Sequence, residues 1–252
     1  MEVVFAVAVG MLAGFLNTVA SGGSAVSLPM LLFMGLSPVL ANGTNRVPVV
    51  VCCLVATITF MRKKIIKWPL AIKIIVPSAV GSLLGVYFAN SVDARAMRLL
   101  IASAVLVALL LLFTGIKQAL QKNYDCEPRY RLQEMVYLFL VGLWIGFIVV
   151  DGNTYLLLVL ILGMQLDFVR ANAYKCLVAL VSSGVSLAAF AAEGNVDWKI
   201  GGLVAVGSLA GGFLERRPPC CQASRFGFSG FWSRYWCSNW PTWRFSWPRL
   251  IC

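Results

Sequence analysis

The chain has 252 residues, 60% hydrophobic and only 12% charged, with a mean hydropathy of +0.84 and a formal net charge of +11. A soluble domain carries about a quarter charged residues, so a single soluble core is excluded and an all-α polytopic membrane protein is expected. The basic excess does not point to nucleic acid. Eight of the 21 Lys and Arg fall at 62–67 and 117–131 and six more after Leu214, a flanking pattern that reads as positive-inside bias.

Residues 3–20 and 24–41 are two apolar pieces separated by Ser21-Gly22-Gly23. As one helix they would reach about 55 Å, well beyond the ~30 Å hydrocarbon core. They must make two spans or a hairpin. Asn17, the glycine pair, Pro29 and the cluster Asn42-Gly43-Thr44-Asn45-Arg46 interrupt the run. A continuous helix gains nothing from such residues, whereas a discontinuous membrane helix uses them to turn backbone groups toward a bound ion or substrate.

Residues 47–61 form the next predicted span, stopped by Arg62-Lys63-Lys64 and Lys67. Residues 69–90 follow, with Lys73, Pro77 and the pair Gly81 and Gly85, a spacing that serves close helix packing more often than chemistry. Lys73 stands near the start of its span and is expected to snorkel. After Asp93, Arg95 and Arg98, residues 97–116 read as a plain scaffold helix.

The polar stretch 117–134 is the natural seam between halves, and then the pattern restarts. Gly142-x-x-x-Gly146-Phe147 echoes Gly10-x-x-x-Gly14-Phe15, and Asp151-Gly152-Asn153-Thr154 stands where Ser21-Gly22-Gly23-Ser24 stood. Ala171-Asn172-Ala173-Tyr174-Lys175 stands where Ala41-Asn42-Gly43-Thr44-Asn45 stood, and spans 176–192 and 198–214 follow. The expected organisation is a first membrane module (1–116), a cytoplasmic linker (117–134), an incomplete second module (135–214) and a tail (215–252). With 62–67 and 117–134 cytoplasmic, each half makes an odd number of crossings if each broken segment enters and exits on one side. That is an inverted repeat, with loop 193–199 and the N-terminus outside.

After Leu214 the composition changes abruptly: the stretch 215–252 holds ten aromatics, five of them Trp, with no Val and no Lys. The segment is expected to be either an interfacial aromatic-and-arginine element or sequence read out of frame in place of a final span. The N-terminus has no basic region ahead of its apolar run and is expected to belong to the mature chain.

The motifs G-x-x-x-G-F-L-N-T-V-A-S-G-G-S at 10–24, Pro29, G-L-S-P at 35–38 and A-N-G-T-N at 41–45 resemble the TauE/SafE family of sulfite-exporter-like permeases over residues 3–214. The resemblance implies a helical inner-membrane carrier of two related modules that moves small sulfur-containing or organic anions such as sulfite or sulfonates. Family second halves usually carry a proline after the break; none follows Asp151-Gly152-Asn153-Thr154 here, and the expected final span is replaced by the tail.

An anion site would use half-helix N-termini at Gly22-Gly23 and at Gly152-Asn153. Asn17 and Asn45 offer amide donors, Ser24 and Thr44 hydroxyls, and Arg46 and Lys175 charge. The two cations could equally sit at a membrane boundary and snorkel. Asp151 is a candidate proton-coupling group, or else a cap or ion-pair partner. The expected partners are a small anion, membrane lipids and, in a homo-oligomer, a second copy of the chain.

With no histidine, no C-x-x-C pair and no phosphate-binding loop in the sequence, no metal, haem, disulfide framework or other cofactor is expected, and ATP hydrolysis is not. An intramembrane enzyme would have to use Ser24 with Lys73 or Lys175 as base, and no catalytic residue is assigned. The remaining alternative is a non-transporting scaffold or a truncated, inactive permease.

Overall fold

The computed structural model describes residues 2–20, 23–113, 130–150 and 152–214, which are helical apart from short turns. The tail from Glu215, most of the linker, Gly22, Asp151 and the side chain of Asn17 lie outside the described residues. In chain order the helices are α1 (Glu2–Ala20), α2 (Gly23–Phe33), α3 (Pro38–Thr44), α4 (Arg46–Arg62), α5 (Trp68–Ser91) and α6 (Ala94–Phe113). After the linker come α7 (Leu132–Phe147), α8 (Gly152–Leu158), α9 (Phe168–Ala192) and α10 (Trp198–Leu214). Among the described residues, three helical stretches are long and apolar enough to cross a membrane: Pro38–Arg62, Trp68–Ser91 and Phe168–Ala192.

Two sequence expectations change. The piece 24–41 is not one span: α2 stops at Phe33, the chain turns at Gly35 (φ +88°), and α3 restarts at Pro38, where the Ser37 hydroxyl accepts from the Leu40 N–H. The cluster Asn42–Arg46 does not break a helix. It lies inside a nearly continuous 25-residue helix from Pro38 to Arg62, because Asn45 at the joint keeps right-handed helical angles (φ −65°, ψ −13°). Its polar side chains are spent on tertiary contacts instead.

The repeat is legible in backbone geometry. The four described residues with positive φ fall in two pairs that share one offset in numbering, Gly35 with Gln165 and Lys64 with Gly194. Ser37 caps α3 as Asp167 caps α9. The Thr44 hydroxyl accepts from the Asp197 N–H just before α10, and at the same offset the Tyr174 hydroxyl accepts from the Lys67 N–H just before α5. The start of the α3–α4 helix therefore meets the end of α9, and the end of α4 meets the start of α9. Equivalent elements run antiparallel, the arrangement of an inverted repeat.

Small residues set the remaining packing. Gly10 and Gly14 of α1 face the backbone of Val204 and Ser208 on α10, while Gly142 and Gly146 of α7 face Ser78 and Ser82 on α5. Each first helix thus pairs with the last helix shared by the two repeats, α1 with α10 and α7 with α5, and a Cβ at any of these glycines would enter a neighbouring carbonyl. The large apolar side chains of α5 and α7 that face away from these contacts, such as Val76, Phe88, Met135 and Leu140, are exposed, as a lipid-facing surface requires.

Candidate functional site

The second break is built at the end of α7. The chain leaves the helix at Ile148 in an extended conformation and re-enters helix at Gly152. The α8 helix folds back along α7. The Trp144 indole donates to the Val150 carbonyl at 3.0 Å and packs edge-on to Tyr155, while Gly163 lies against the Glu134 side chain near the start of α7. The two elements form a helical hairpin. Where the first half distorts α2 with Pro29, the second half widens α8 into a π-helical turn at Val159–Gly163. Both devices interrupt the regular i→i−4 ladder at corresponding places in the two half-helices.

Ending α7 at Phe147 leaves carbonyls without intrahelical donors and puts a partial negative charge there. Arg46 supplies the donors. Its side chain is fully buried, with Nη1 donating to the Ile145 carbonyl at 2.9 Å and Nη2 to the Gly146 carbonyl at 2.6 Å. The guanidinium lies 4.9 Å from the centre of the Phe190 ring of α9, a cation–π contact. Asn42, one helical turn earlier, donates to the Phe147 carbonyl at 2.8 Å and accepts from the Val149 N–H. Arg46 therefore does not snorkel. It stands about 12 Å into the 25-residue helix from Pro38 and reaches inward.

The first break meets the same place. The Ser24 hydroxyl, in the first turn of α2, donates to the Val149 carbonyl at 3.3 Å, and the Ser27 hydroxyl donates to Asn45 Oδ1 at 2.6 Å. That bond fixes Asn45 so that its Nδ2 is free to donate, yet Nδ2 is buried with no partner, and the same holds for Arg46 Nε. No carboxylate pairs with Arg46 among the described residues. The site offers N–H donors and a positive charge. Its chemistry suits an anion.

Of the residues expected from sequence, Gly23, Ser24, Asn45 and Arg46 come together here. Thr44 points the other way, to the turn before α10. Asn153, in the first turn of α8, and Lys175 on α9 are half-buried, and among the described residues no hydrogen bond ties their side chains to this cluster. The cap register places Lys175 opposite Asn45 and Cys176 opposite Arg46 in the repeat. Asn17, Gly22 and Asp151 fall on groups outside the described residues. Lys73 is exposed near Tyr130, as a snorkelling residue would be.

Sequence reasoning missed Asn42, Ser27 and Phe190 as contributors. Asn42 was visible in the A-N-G-T-N motif. Phe190 is an ordinary aromatic in an apolar helix, in the other half of the chain from the guanidinium it meets, and carried no signal.

The sequence matches the protein family described as Sulfite exporter TauE/SafE over residues 6–217. It is 29% identical to the "Probable membrane transporter protein" of Haemophilus influenzae, across 82% of this chain and 80% of that protein. It is 27% identical to the "Probable membrane transporter protein YfcA" of Escherichia coli strain K12, across 83% of this chain and 77% of the relative. A "Probable membrane transporter protein ORF9" from Sinorhizobium sp is 23% identical across 82% and 78% of the two chains. No solved structure matches the chain.

Proposed function

The chain belongs to the sulfite exporter TauE/SafE family and is a membrane transporter, and we propose that its cargo is a small anion such as sulfite, a sulfonate or a related organic anion. It works as a secondary carrier without enzymatic activity, as a multi-pass protein of the cell's inner membrane. The observation that carries this reading is the buried Asn45–Arg46 step. A guanidinium about a third of the way along a membrane helix is costly unless compensated, and here two carbonyls and an aromatic ring meet only part of that cost. The unpartnered Nε and Asn45 Nδ2 are what an oxyanion would engage.

In this reading each residue has a role. Arg46 supplies charge, Asn45 an amide donor held in orientation by Ser27, and the first turn of α2 with Gly23 and Ser24 a positive dipole end. Asp151 adjoins the extended segment in sequence and is the candidate proton-coupling group, and Asn153 and Lys175 serve the second half of the path.

The test is sulfite and methanesulfonate flux in proteoliposomes under an imposed pH gradient. Asn45→Leu keeps the helix apolar and able to insert but removes the donor, so flux should fall at least tenfold while the protein still inserts. Flux equal to wild type would discard the site. Asp151→Asn should abolish the dependence of flux on the pH gradient if that carboxylate relays protons; a retained profile assigns it to capping.

A further inference from the structure

Of the five described residues with orphaned buried polar atoms, Asn90 is on α5 and the other four lie on one pair of packed helices. Besides Asn45 Nδ2 and Arg46 Nε, these are the hydroxyls of Thr57 on α4 and Ser183 on α9, whose residues are 2% and 1% exposed. The α4 and α9 helices pack against each other. Buried hydroxyls without a partner are uncommon and call for an explanation.

Their positions on the helices are not scattered. At about 100° per residue, Thr57 returns to within about 20° of the face that carries Arg46, three turns earlier. Ser183 precedes Phe190 by two turns, again within about 20° of the face that meets Arg46. Cys53, one turn before Thr57, belongs to the same buried cluster as Ala173, Tyr174 and Leu177 of α9, and Lys67 just beyond α4 is hydrogen-bonded to Tyr174, so the far end of α4 lies toward the stretch of α9 that holds Lys175. A line of unpartnered groups therefore runs about 16 Å along the seam from Arg46 to Thr57. One cation stands at one end and a second near the other.

The same apolar seam could have been filled with Val and Ala at no polar cost. Neighbouring hydroxyls on these helices do find partners: Ser186 donates to the Ser182 carbonyl, and Ser182 pairs with Ser78 at 3.0 Å. Thr57 and Ser183 do not.

We propose that the α4–α9 seam is the path by which an oxyanion passes between Arg46 and Lys175, with the Ser183 and Thr57 hydroxyls donating hydrogen bonds to it in transit. This rests on the carrier reading above and extends it from a binding site to a route. The hydroxyls replace part of the anion's hydration without adding a fixed charge that would trap it. Neither Thr57 nor Ser183 is needed for the resting contacts of Arg46, so their removal should slow passage rather than binding.

The experiment uses the full chain in proteoliposomes with sulfite as probe. Thr57→Val and Ser183→Ala should each lower the maximal flux at least tenfold while the half-saturating sulfite concentration stays within about threefold. In parallel, Thr57→Cys and Ser183→Cys are placed in a background with all eight native cysteines changed to Ala. They are exposed to the anionic thiol reagent 2-sulfonatoethyl methanethiosulfonate. Both cysteines should be modified from the aqueous phase, at least fivefold more slowly when methanesulfonate, which unlike sulfite does not itself cleave the thiosulfonate, is saturating. Unchanged flux in both variants together with unmodified cysteines, in a protein that carries sulfite, overturns the route and leaves the carrier standing. In a protein that carries methanesulfonate, modification that this anion does not slow also overturns the route, because the seam then admits reagent and water without serving the cargo. If the wild-type chain carries no sulfite, the carrier reading fails for that cargo. Access of the anionic reagent to both cysteines still supports the seam as an anion path, and no access overturns it.

Discussion

A guanidinium placed deep in a bilayer must find partners for its donors, and Arg46 finds two at a helix end that needs them. The Ile145 and Gly146 carbonyls lack intrahelical donors because α7 stops at Phe147, and Arg46 binds both. Charge-assisted bonds of this kind contribute about 1.5–3 kcal/mol each. A lysine has a compact ammonium with three donors but no planar fork, so Arg46→Lys cannot reproduce the two separate Nη bonds in their present geometry. Its thermal midpoint in detergent should fall by several degrees and its sulfite flux at least tenfold. A variant with wild-type flux and midpoint would mean that the fork geometry is dispensable. The residues Asn45 and Arg46 were legible as polar intrusions in an apolar run. What they bind was not, because α7 lies in the other half of the sequence and only the fold brings its end to them.

The glycines act at the scale of elements. Gly14 and Gly146 each stand where a Cβ would enter the backbone of a serine on the paired helix, Ser208 and Ser82 respectively, whereas Gly184 and Gly202 have nothing within 4 Å. Gly146→Leu should push α7 off α5 and move the carbonyls that Arg46 holds, giving protein that fails to survive extraction in detergent. Gly184→Ala and Gly202→Ala should change the thermal midpoint by no more than a degree or two, since a helix-interior Gly→Ala change is worth only about 0.5–1 kcal/mol. Equal sensitivity at all these positions would sink the packing account. At the two mirrored turns, Thr44→Val removes one hydrogen bond to the loop before α10, while Tyr174→Phe removes two to the loop before α5, one accepted from the Lys67 N–H and a longer one donated to the Lys67 carbonyl. Thr44→Val should cost about 1 kcal/mol and Tyr174→Phe about 1–2 kcal/mol, and the pair should add, because sites that share no partners are independent. A double-mutant cycle by thermal unfolding checks this. The G-x-x-x-G spacings were readable as packing surfaces, but not their partners: spacing within a helix says nothing about which distant helix it meets. Likewise Pro29 announced itself in sequence, whereas the π-helical turn that takes its place in the second half uses only Val, Leu, Ile and Gly.

At the scale of the whole molecule the two halves are interleaved rather than side by side. The α1 helix of the first half packs on α10 of the second, and α7 of the second packs on α5 of the first. The correspondence survives a length change. Gly81 and Gly207 make equivalent contacts, yet their separation in numbering is shorter than that between Lys64 and Gly194 in the turns before their helices. The difference is close to one helical turn, so the glycine face of α10 still points at its partner. Interleaving has a consequence for folding. Either half alone would leave a flat small-residue face unpaired, and the donors of Arg46 would have no α7 carbonyls to meet. Expressed separately, residues 1–129 and 130–252 should each be degraded or aggregate. Expressed together from two messages, they should insert, copurify through one affinity tag and resist proteolysis as the intact chain does. A first half that purifies alone as a monodisperse, folded species would show that the cross-paired helices contribute little, and with it the case for a site shared between the halves would fall.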